Sequence, residues 1–402
     1  MTNGGEFMNK LEKIATSDVK KYNKNRVFKL IYFAEKISRQ EIAGILKLSL
    51  PTVNQNLKAL AQEDLIYYEG NFDSTGGRKA QVISVNPAAA YAICVNLYDK
   101  GFGITLVDLK CNVVDSKTYN VTFSLGDDYA KKVGKSVVDI IRKNSVADDK
   151  VLGVGITVPG VFDKSNRIIL AAPTMGLKDY HIGNITAHIP YDCVAMNDAR
   201  AGAYAEYWFE RRKKSREIMA EDVEKSTMSD LMEGKMYVML DNGVGGAYIG
   251  SDHIVRGKHN RYGEVGHMTI HPEGKQCFCG KKGCFESYVS ARCISSEIGL
   301  TLDEFFSRLD MGDAVIEQYF ENYIEDLAIG INNLYVMTDG DIVIAGPVSV
   351  YLEKYIDDIR KKLVKKYSFD TDGTYFGLAS CDYELSKTGA ALTYIGEFIN
   401  RV

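Results

Sequence analysis

No part of the 402-residue chain restricts its fold more than residues 263–290, GEVGHMTIHPEGKQCFCGKKGCFESYVS, which set His267, Cys277, Cys279 and Cys284 within one short stretch. Zn²⁺ favours tetrahedral sets of imidazole and thiolate ligands at close sequence spacing. The pattern C-x-C-G-x-x-G-C adds glycines where the chain must fold back tightly around an ion. One structural zinc per chain is therefore expected on His267, Cys277, Cys279 and Cys284. Glu264 and Glu286 flank these ligands and are not needed to complete a four-donor site. Each carboxylate can accept hydroxyl protons, so a polyhydroxylated ligand such as a sugar is the natural candidate for them.

The same residues resemble the signature of the ROK family (repressors, open reading frames and sugar kinases), E-x-G-H followed by C-x-C-G-x-x-G-C-x-E. That resemblance implies that His267 binds zinc through one ring nitrogen and faces a sugar with the other, while Glu264 and Glu286 contact sugar hydroxyls. Asn197-Asp198-Ala199-Arg200-Ala201-Gly202 resembles the family's N-D-A-N-A stretch. In the family's kinases this Asp takes a proton from a sugar hydroxyl and the Asn binds another, roles that fall by resemblance on Asp198 and Asn197. The residues alone also allow Asp198 to cap the helix running through Tyr207. Val158-Pro159-Gly160-Val161 is similar to a loop that closes one side of the sugar pocket, whereas Thr174-Met175-Gly176-Leu177 departs from the family pattern and leaves the sugar unspecified.

Length suggests two or three domains, and 46% hydrophobic with 25% charged residues is the composition of an ordinary globular protein. The sequence has no apolar run of about 18 residues and no apolar signal-peptide core, so a cytoplasmic protein without a membrane partner is expected. The opening MTNGGEFMN is polar and expected to fray, with Met8 as an alternative start. Cys94, Cys111, Cys193, Cys293 and Cys381 show no pairing pattern and read as small core residues in a reducing compartment. Net charge is −4, but residues 1–90 carry about +4 and the remainder about −8, which points to a nucleic-acid-binding end.

That end has its own pattern. Apolar residues at Val27, Phe28, Leu30, Ile31 and Ala34 give helical periodicity over residues 26–35. Ser38-Arg39-Gln40-Glu41 is a capping box that opens a second helix through Leu46. Ser49 caps a third, with Pro51 in its first turn and Val53, Leu57 and Leu60 facing inward. Its outward set, Thr52, Asn54, Gln55, Asn56 and Lys58, suits base edges and phosphates. Strands over residues 65–69 and 81–85 enclose a loop whose Gly76-Gly77-Arg78 tip could approach DNA closely, with Arg78 reaching a minor groove. The order is that of a winged helix-turn-helix, and the stretch from Ile37 to Ile66 followed by STGGRKA resembles the DNA-binding domain of ROK repressors.

After Asn86-Pro87, strands are expected over residues 91–97, 104–108 and 113–122, a helix over 128–143 and a strand over 151–158. A second cycle follows with strands at 236–240, 247–249 and 253–255 and helices at 287–298 and 314–334. The resemblance implies a two-lobed α/β actin-like ATPase fold with a ligand cleft. The division expected is 1–86 for DNA binding and 87–402 for ligand binding and oligomerisation, with lobes of about 87–196 plus the C-terminal helix and 197–384.

Phosphoryl transfer needs a backbone cradle for phosphate and a carboxylate-held metal. ROK kinases supply D-x-G-G-T on the first hairpin, where this chain reads Asn96-Leu97-Tyr98-Asp99-Lys100, and Tyr98 and Lys100 would block a triphosphate. Asp241-Asn242-Gly243-Val244-Gly245-Gly246 keeps half of a second phosphate loop, and Ile344-Ala345-Gly346-Pro347 resembles the adenosine-side turn. The expectation is a sugar-responsive repressor of carbohydrate-utilisation genes, not an enzyme, acting on operator DNA with a small-molecule sugar effector as a homodimer or homotetramer. A sugar kinase and a regulator that senses a transport-system protein are the alternatives.

Overall fold

The Ser38 capping box forms as its spacing requires. Glu41 donates its N–H to Ser38 Oγ at 3.3 Å and its side chain accepts the Ser38 N–H at 2.7 Å, opening α2 (Arg39–Leu46) after α1 (Thr16–Ala34). Lys47 takes a left-handed φ of 53° to end α2, and Ser49 Oγ accepts the Thr52 N–H at the start of α3 (Leu50–Gln62). Val27, Phe28, Ile31, Ile42, Val53, Leu57 and Leu60 lock the three helices through one core. β1 (Ile66–Asn71) pairs antiparallel with β2 (Gln81–Val85). The computed structural model describes residues 16–72, 80–220, 234–250, 254–367, 369, 372–381 and 383–402. Gly76, Gly77 and Arg78 lie outside these residues.

Beyond a short turn capped by Asn86 come two sheets. The first has the order β10-β6-β3-β4-β5, from β3 (Tyr91–Tyr98), β4 (Gly101–Asp108), β5 (Val113–Tyr119), β6 (Val151–Val158) and β10 (Cys193–Asn197). β3, β4 and β5 form an antiparallel meander, and β6 and β10 run parallel to β3. The two-residue period of a strand shows in β3. Ile93, Val95 and Leu97 pack with α4 (Asp127–Lys143), whereas Ala92 and Cys94 pack with α14 (Gly389–Arg401) and α1. A small third sheet, β7 (Val161–Phe162), β8 (Ile168–Ala172) and β9 (Leu177–His181), leads into α5 (Gly183–Thr186).

The second large sheet has the order β12-β11-β13-β14, from β11 (Lys235–Leu240), β12 (Val244–Ile249), β13 (Asp341–Ala345) and β14 (Phe376–Leu378). On one side lies α6 (Asp198–Ala220), through Ala199, Ala203 and Tyr207 against Tyr237 and Met239. On the other, Met236, Val238 and Leu240 meet the helical layer of α7 (Glu286–Val289), α8 (Ala291–Glu297), α9 (Leu302–Asp310), α10 (Ala314–Thr338), α11 (Ser349–Leu352) and α12 (Ile356–Lys366). The short α13 (Tyr383–Ser386) precedes α14. Among the described residues, no helix is long and apolar enough to cross a membrane.

Two expectations need correction. Of the strand expected at 253–255, the described residues 254 and 255 form only an isolated bridge from Ile254 to Ile249 and a Val255 N–H bond to Tyr248 O at 2.9 Å, and residues 251–253 lie outside the described set. The helix expected over 287–298 is broken at Ser290, whose extended backbone (ψ 156°) starts α8 afresh. The break frees the Ala291 N–H, which donates to Asp241 O at 2.8 Å and ties the helical layer to the β11–β12 turn.

Close packing of α14 on β6 is testable at Gly155, where a Cβ would sit 2.3 Å from Ala390 C and 2.5 Å from its O. Gly155→Ala should cost about 1–3 kcal/mol through overpacking. Gly44→Ala, in exposed α2 with nothing within 4 Å, should stabilise by about 0.5–1 kcal/mol. Urea unfolding of the two variants beside the parent checks both signs.

Candidate functional site

The site is assembled by glycines. A Cβ on Gly263 (φ 94°) would lie 2.2 Å from Gly246 O, and one on Gly266 would lie 2.2 Å from Val244 O. Backbone therefore packs on backbone between β12 and the 263–267 turn, which fixes Glu264 and His267 beside the β11–β12 hairpin. Downstream, Gly283 O accepts the N–H groups of Ile270 and His271, Cys277 N–H donates to Lys281 O, and Gly280 N–H donates to Cys277 O. Gly280 and Gly283 have φ of 83° and 76°, so two left-handed residues close the loop.

The loop delivers four donor atoms, from His267, Cys277, Cys279 and Cys284, all within 4.8 Å of one another. Cys279 and Cys284 Sγ are 3.6 Å apart, and Cys277 Sγ is 3.8 Å from His267 Nδ1. A tetrahedron with metal–sulfur bonds of about 2.3 Å has edges of about 3.8 Å, so this cluster could hold a metal ion. Nδ1 is the nitrogen turned to the cysteines. Cys279 N–H points at Cys277 Sγ at 3.4 Å, a backbone donor that favours a thiolate there. Phe278, 70% exposed, is covered on one face by the Arg292 guanidinium at 4.2 Å.

Carboxylates gather beside this cluster. Glu286 Oε1 accepts from Cys277 Sγ at 2.8 Å and lies 3.6 Å from His267 Nδ1, while its Oε2 would be 3.3 Å from a Cβ on Gly243. Asp198 begins α6, its Oδ1 accepting the Ala199 N–H at 2.8 Å. Asn197 Oδ1 accepts the Arg200 N–H at 3.1 Å, and its Nδ2 donates to Gly160 O at 3.1 Å, which joins the Pro159-Gly160 loop to the same helix start. Burial pushes the Asp198 carboxyl up to about 7, with Asp241 and Glu264 adding to the shift. Burial also raises Glu264, with Glu286 in support and the His267 and Arg200 charges opposing. Asn197, Asp198, Glu264, His267 and Glu286 thus lie around one region.

Two contributors were invisible in the sequence reading. Asp241, treated there only as part of a phosphate-loop remnant, is after burial the largest cause of the raised Asp198 carboxyl. Arg200 donates to Asn260 Oδ1 at 2.6 Å and Asn260 O at 2.8 Å, and Asn260, 1% exposed, donates to Phe162 O and Asp163 O. This buried chain ties α6, the loop before Glu264 and β7 together.

On the third helix of the winged unit, Asn54, Gln55 and Lys58 are exposed, and Thr52 is half-buried with its hydroxyl 2.8 Å from Ser49 Oγ. Asn56 is a correction: it is 8% exposed and donates to Thr52 O at 2.9 Å, because the i+3 step from Val53 turns it toward the core. Arg78 is outside the described residues. Tyr67 and Tyr68 on β1, not singled out from sequence, present exposed rings on the wing.

A model described as "ROK family" matches residues 92–392, and one described as "Winged helix-turn-helix DNA-binding" matches residues 26–67. The chain is 26% identical over 373 residues to a "Putative xylose repressor" of Caldicellulosiruptor sp. (strain Rt8B.4), covering 87% of this chain and 88% of that protein. Its fold is similar to that of a ROK family transcriptional regulator described as a homolog of the E. coli MLC protein, with a TM-score of 0.70 and 19% identity over 95% of this chain and 97% of that one. It is also similar to a ROK family glucokinase from Streptomyces griseus solved with glucose and AMPPNP, with a TM-score of 0.61 and 20% identity over 76% of this chain and 99% of that one.

The raised Asp198 carboxyl carries a signed consequence. In the folded state it binds a proton up to about 7, whereas its unfolded value is 3.8. The native state therefore holds more protons than the unfolded state between those values, and this group lowers stability as pH rises through that window. Asp198→Asn removes the effect. Thermal melts should show the variant gaining on the parent from pH 5 to pH 8, and a constant gap would count against the buried, repelled carboxylate.

Proposed function

The chain belongs to the ROK family, and from that membership we propose that it is a sugar-responsive transcriptional repressor of carbohydrate-utilisation genes. In this reading residues 1–86 bind operator DNA, and residues 87–402, with lobes of about 87–196 plus the C-terminal helix and 197–384, bind the sugar and pair the subunits. The carrying observation is the gathering of half-buried carboxylates at Asp198, Asp241, Glu264 and Glu286, where burial raises the proton affinity of Asp198 and Glu264 and neighbouring carboxylates add to it. Such a group needs hydrogen-bond donors, and sugar hydroxyls supply them without adding charge. Asn197, Asp198, Glu264, His267 and Glu286 are the proposed sugar contacts. Thr52, Asn54, Gln55, Lys58 and Arg78 are the proposed DNA contacts, and Asn56 is left out because it faces the core.

The donor set fits zinc: three thiols and one imidazole, with edge lengths near those of a tetrahedron. His267, Cys277, Cys279 and Cys284 would hold the ion, which would supply a cross-link between the Val265–His267 turn and the cysteine loop. With Cys277 held as thiolate, Glu286 would be left to accept from a sugar hydroxyl. With Nδ1 toward the cysteines, His267 Nε2 is the nitrogen left for the sugar. Eight cysteines outside any disulfide accord with a cytoplasmic protein.

Against phosphoryl transfer stand the residues of the β3–β4 hairpin. Asn96, which the resemblance aligns with the first carboxylate of D-x-G-G-T, accepts from the Thr157 hydroxyl at 2.5 Å, and Asp99-Lys100 turns the hairpin beside the Tyr98 ring, whose Cε2 would lie 3.0 Å from a Cβ on Gly101. The kinase reading retains one favourable observation, an Asp198 carboxyl poised near neutrality as a base would be. Coupled ADP release with glucose and D-xylose separates the two, since turnover abolished by Asp198→Asn would establish the enzyme.

The central test is fluorescence polarisation on an operator selected from random DNA, with D-xylose and glucose titrated in. Lys58→Ala should weaken binding across all sequences and reduce the salt slope by about 1, and Glu264→Ala should bind DNA yet lose the response to sugar. Operator binding indifferent to both sugars would refute the sensor. Elemental analysis should find about one zinc per chain in the parent and none in Cys279→Ser, while light scattering should give a homodimer or homotetramer.

A further inference from the structure

One helix touches both functional ends of the molecule. α6 begins at Asp198 among the carboxylates and runs unbroken to Ala220. Its middle meets the winged unit. Trp208, 4% exposed, has its ring 6.0 Å from those of Tyr32 and Phe33, Arg211 lies 4.8 Å over Phe33, and Arg212 lies 5.4 Å over Tyr32. Arg212, 6% exposed, donates through Nη2 to Glu35 Oε1 at 2.8 Å and through Nη1 to Lys110 O at 2.7 Å. Glu35 is the left-handed residue, φ 63°, at the end of α1, and its carbonyl accepts from Ser84 Oγ of β2 at 3.0 Å. The guanidinium therefore braces the α1–α2 corner, which Ser84 and the Ile37–Ile83 backbone pair join to the wing strand.

Arg212 lies fourteen residues beyond Asp198 on the helix, about 21 Å at 1.5 Å per residue. That is beyond the reach of a sugar, so any influence must travel through the protein. Near its start α6 is gripped by the Arg200–Asn260 contact to β7, so movement of the ligand-side loops bears directly on its first turn. The seat of α1 has a second wall as well. Asn25 Nδ2 donates to Ile399 O at 2.7 Å on α14, and α14 packs on β6 of the first sheet, whereas α6 continues from β10 of that sheet and lays Ala199 and Ala203 on the second. α1 thus rests across one helix seated on the first sheet and another that spans both. A shift of one sheet against the other turns the seat, which is the domain-scale element that switching requires.

We propose that α6 transmits ligand occupancy at Asp198 to the winged unit, with the Arg212–Glu35 pair as the joint that sets its orientation. The proposal rests on the sugar-responsive reading above. Arg212 is a positioning residue in this scheme and touches neither ligand. Losing one partner alone strands a buried charge, so the informative variant replaces both, Glu35→Met with Arg212→Met, and Glu35→Gln keeps the size and an acceptor oxygen.

Linkage is reciprocal, so the readout is the ratio of D-xylose affinities with and without the selected operator, by calorimetry, with glucose in parallel. Trp208, the chain's one tryptophan, reports the joint by its emission. The parent should show a ratio of about fivefold or more and a change in Trp208 emission on sugar binding. The paired Met variant should bring the ratio to within about twofold of unity and silence the emission change, while its affinity for D-xylose without DNA stays within about twofold of the parent; Glu35→Gln should fall between. A merely structural role would lower the melting temperature and leave the ratio alone. A parent-sized ratio in the paired variant overturns the transmission, and so does loss of sugar affinity without DNA. A parent that binds operator but shows no linkage with either sugar overturns the sugar-responsive reading itself and the transmission with it.

Discussion

Where Gly263 and Gly266 press on β12, the main chains approach so closely that no side chain fits between them. The rest of the site depends on that contact. It brings a loop rich in metal-ligand types against a hairpin that ends in Asp241, and so crowds four carboxylates into a half-buried space. Their burial is unfavourable to the charged forms, as the raised Asp198 and Glu264 carboxyls record, and neighbouring carboxylates add to it. Proteins retain such strain where a ligand relieves it. The break at Ser290 belongs to the same arrangement, because the amide it frees reaches back to Asp241 and anchors the hairpin from behind.

Around that centre, strands and helices are arranged by simple alternation. Even and odd residues of β3 and β11 face different helical layers, and α6 buries Ala199 and Ala203 toward one sheet and Ala201, Ala205 and Trp208 toward α1 and α14. A helix that is buried on several sides is held by packing rather than by its own propensity. This is why α6 can join regions with unrelated chemistry, an acidic ring at its start and a cationic, aromatic surface in its middle.

Local features were legible in the sequence and distant ones were not. The capping box at Ser38, the turn cap at Ser49 and the cysteine loop each depend on residues within about a dozen positions, so spacing and chemistry suffice. Asn56 was legible in principle: Val53, Asn56, Leu57 and Leu60 form one helical stripe, and its polarity masked its place in it. The Arg200–Asn260 contact joins residues 60 apart, and no pattern within either segment announces the other. Asp241 escaped for a similar reason, since it reaches Asp198 only when β11 is laid beside α6. The strand expected at 253–255 shows the opposite failure: among its described residues, Ile254 and Val255 reach β12 through one bridge and one backbone bond.

The seat of α1 also has a history in time. Asn25 and Ile399 are 374 residues apart in the chain, yet their contact is part of what fixes the winged unit on the body. At translation rates of about 5–20 residues per second, about 20–75 s separate synthesis of the first from the second. During that interval α6 and its Arg212 joint are made, while the C-terminal helix that completes the shared core has not been. Each newly made molecule thus passes through a period in which α1 has one wall of its seat and lacks the other, and the ribosome, not the ligand, decides how long that lasts.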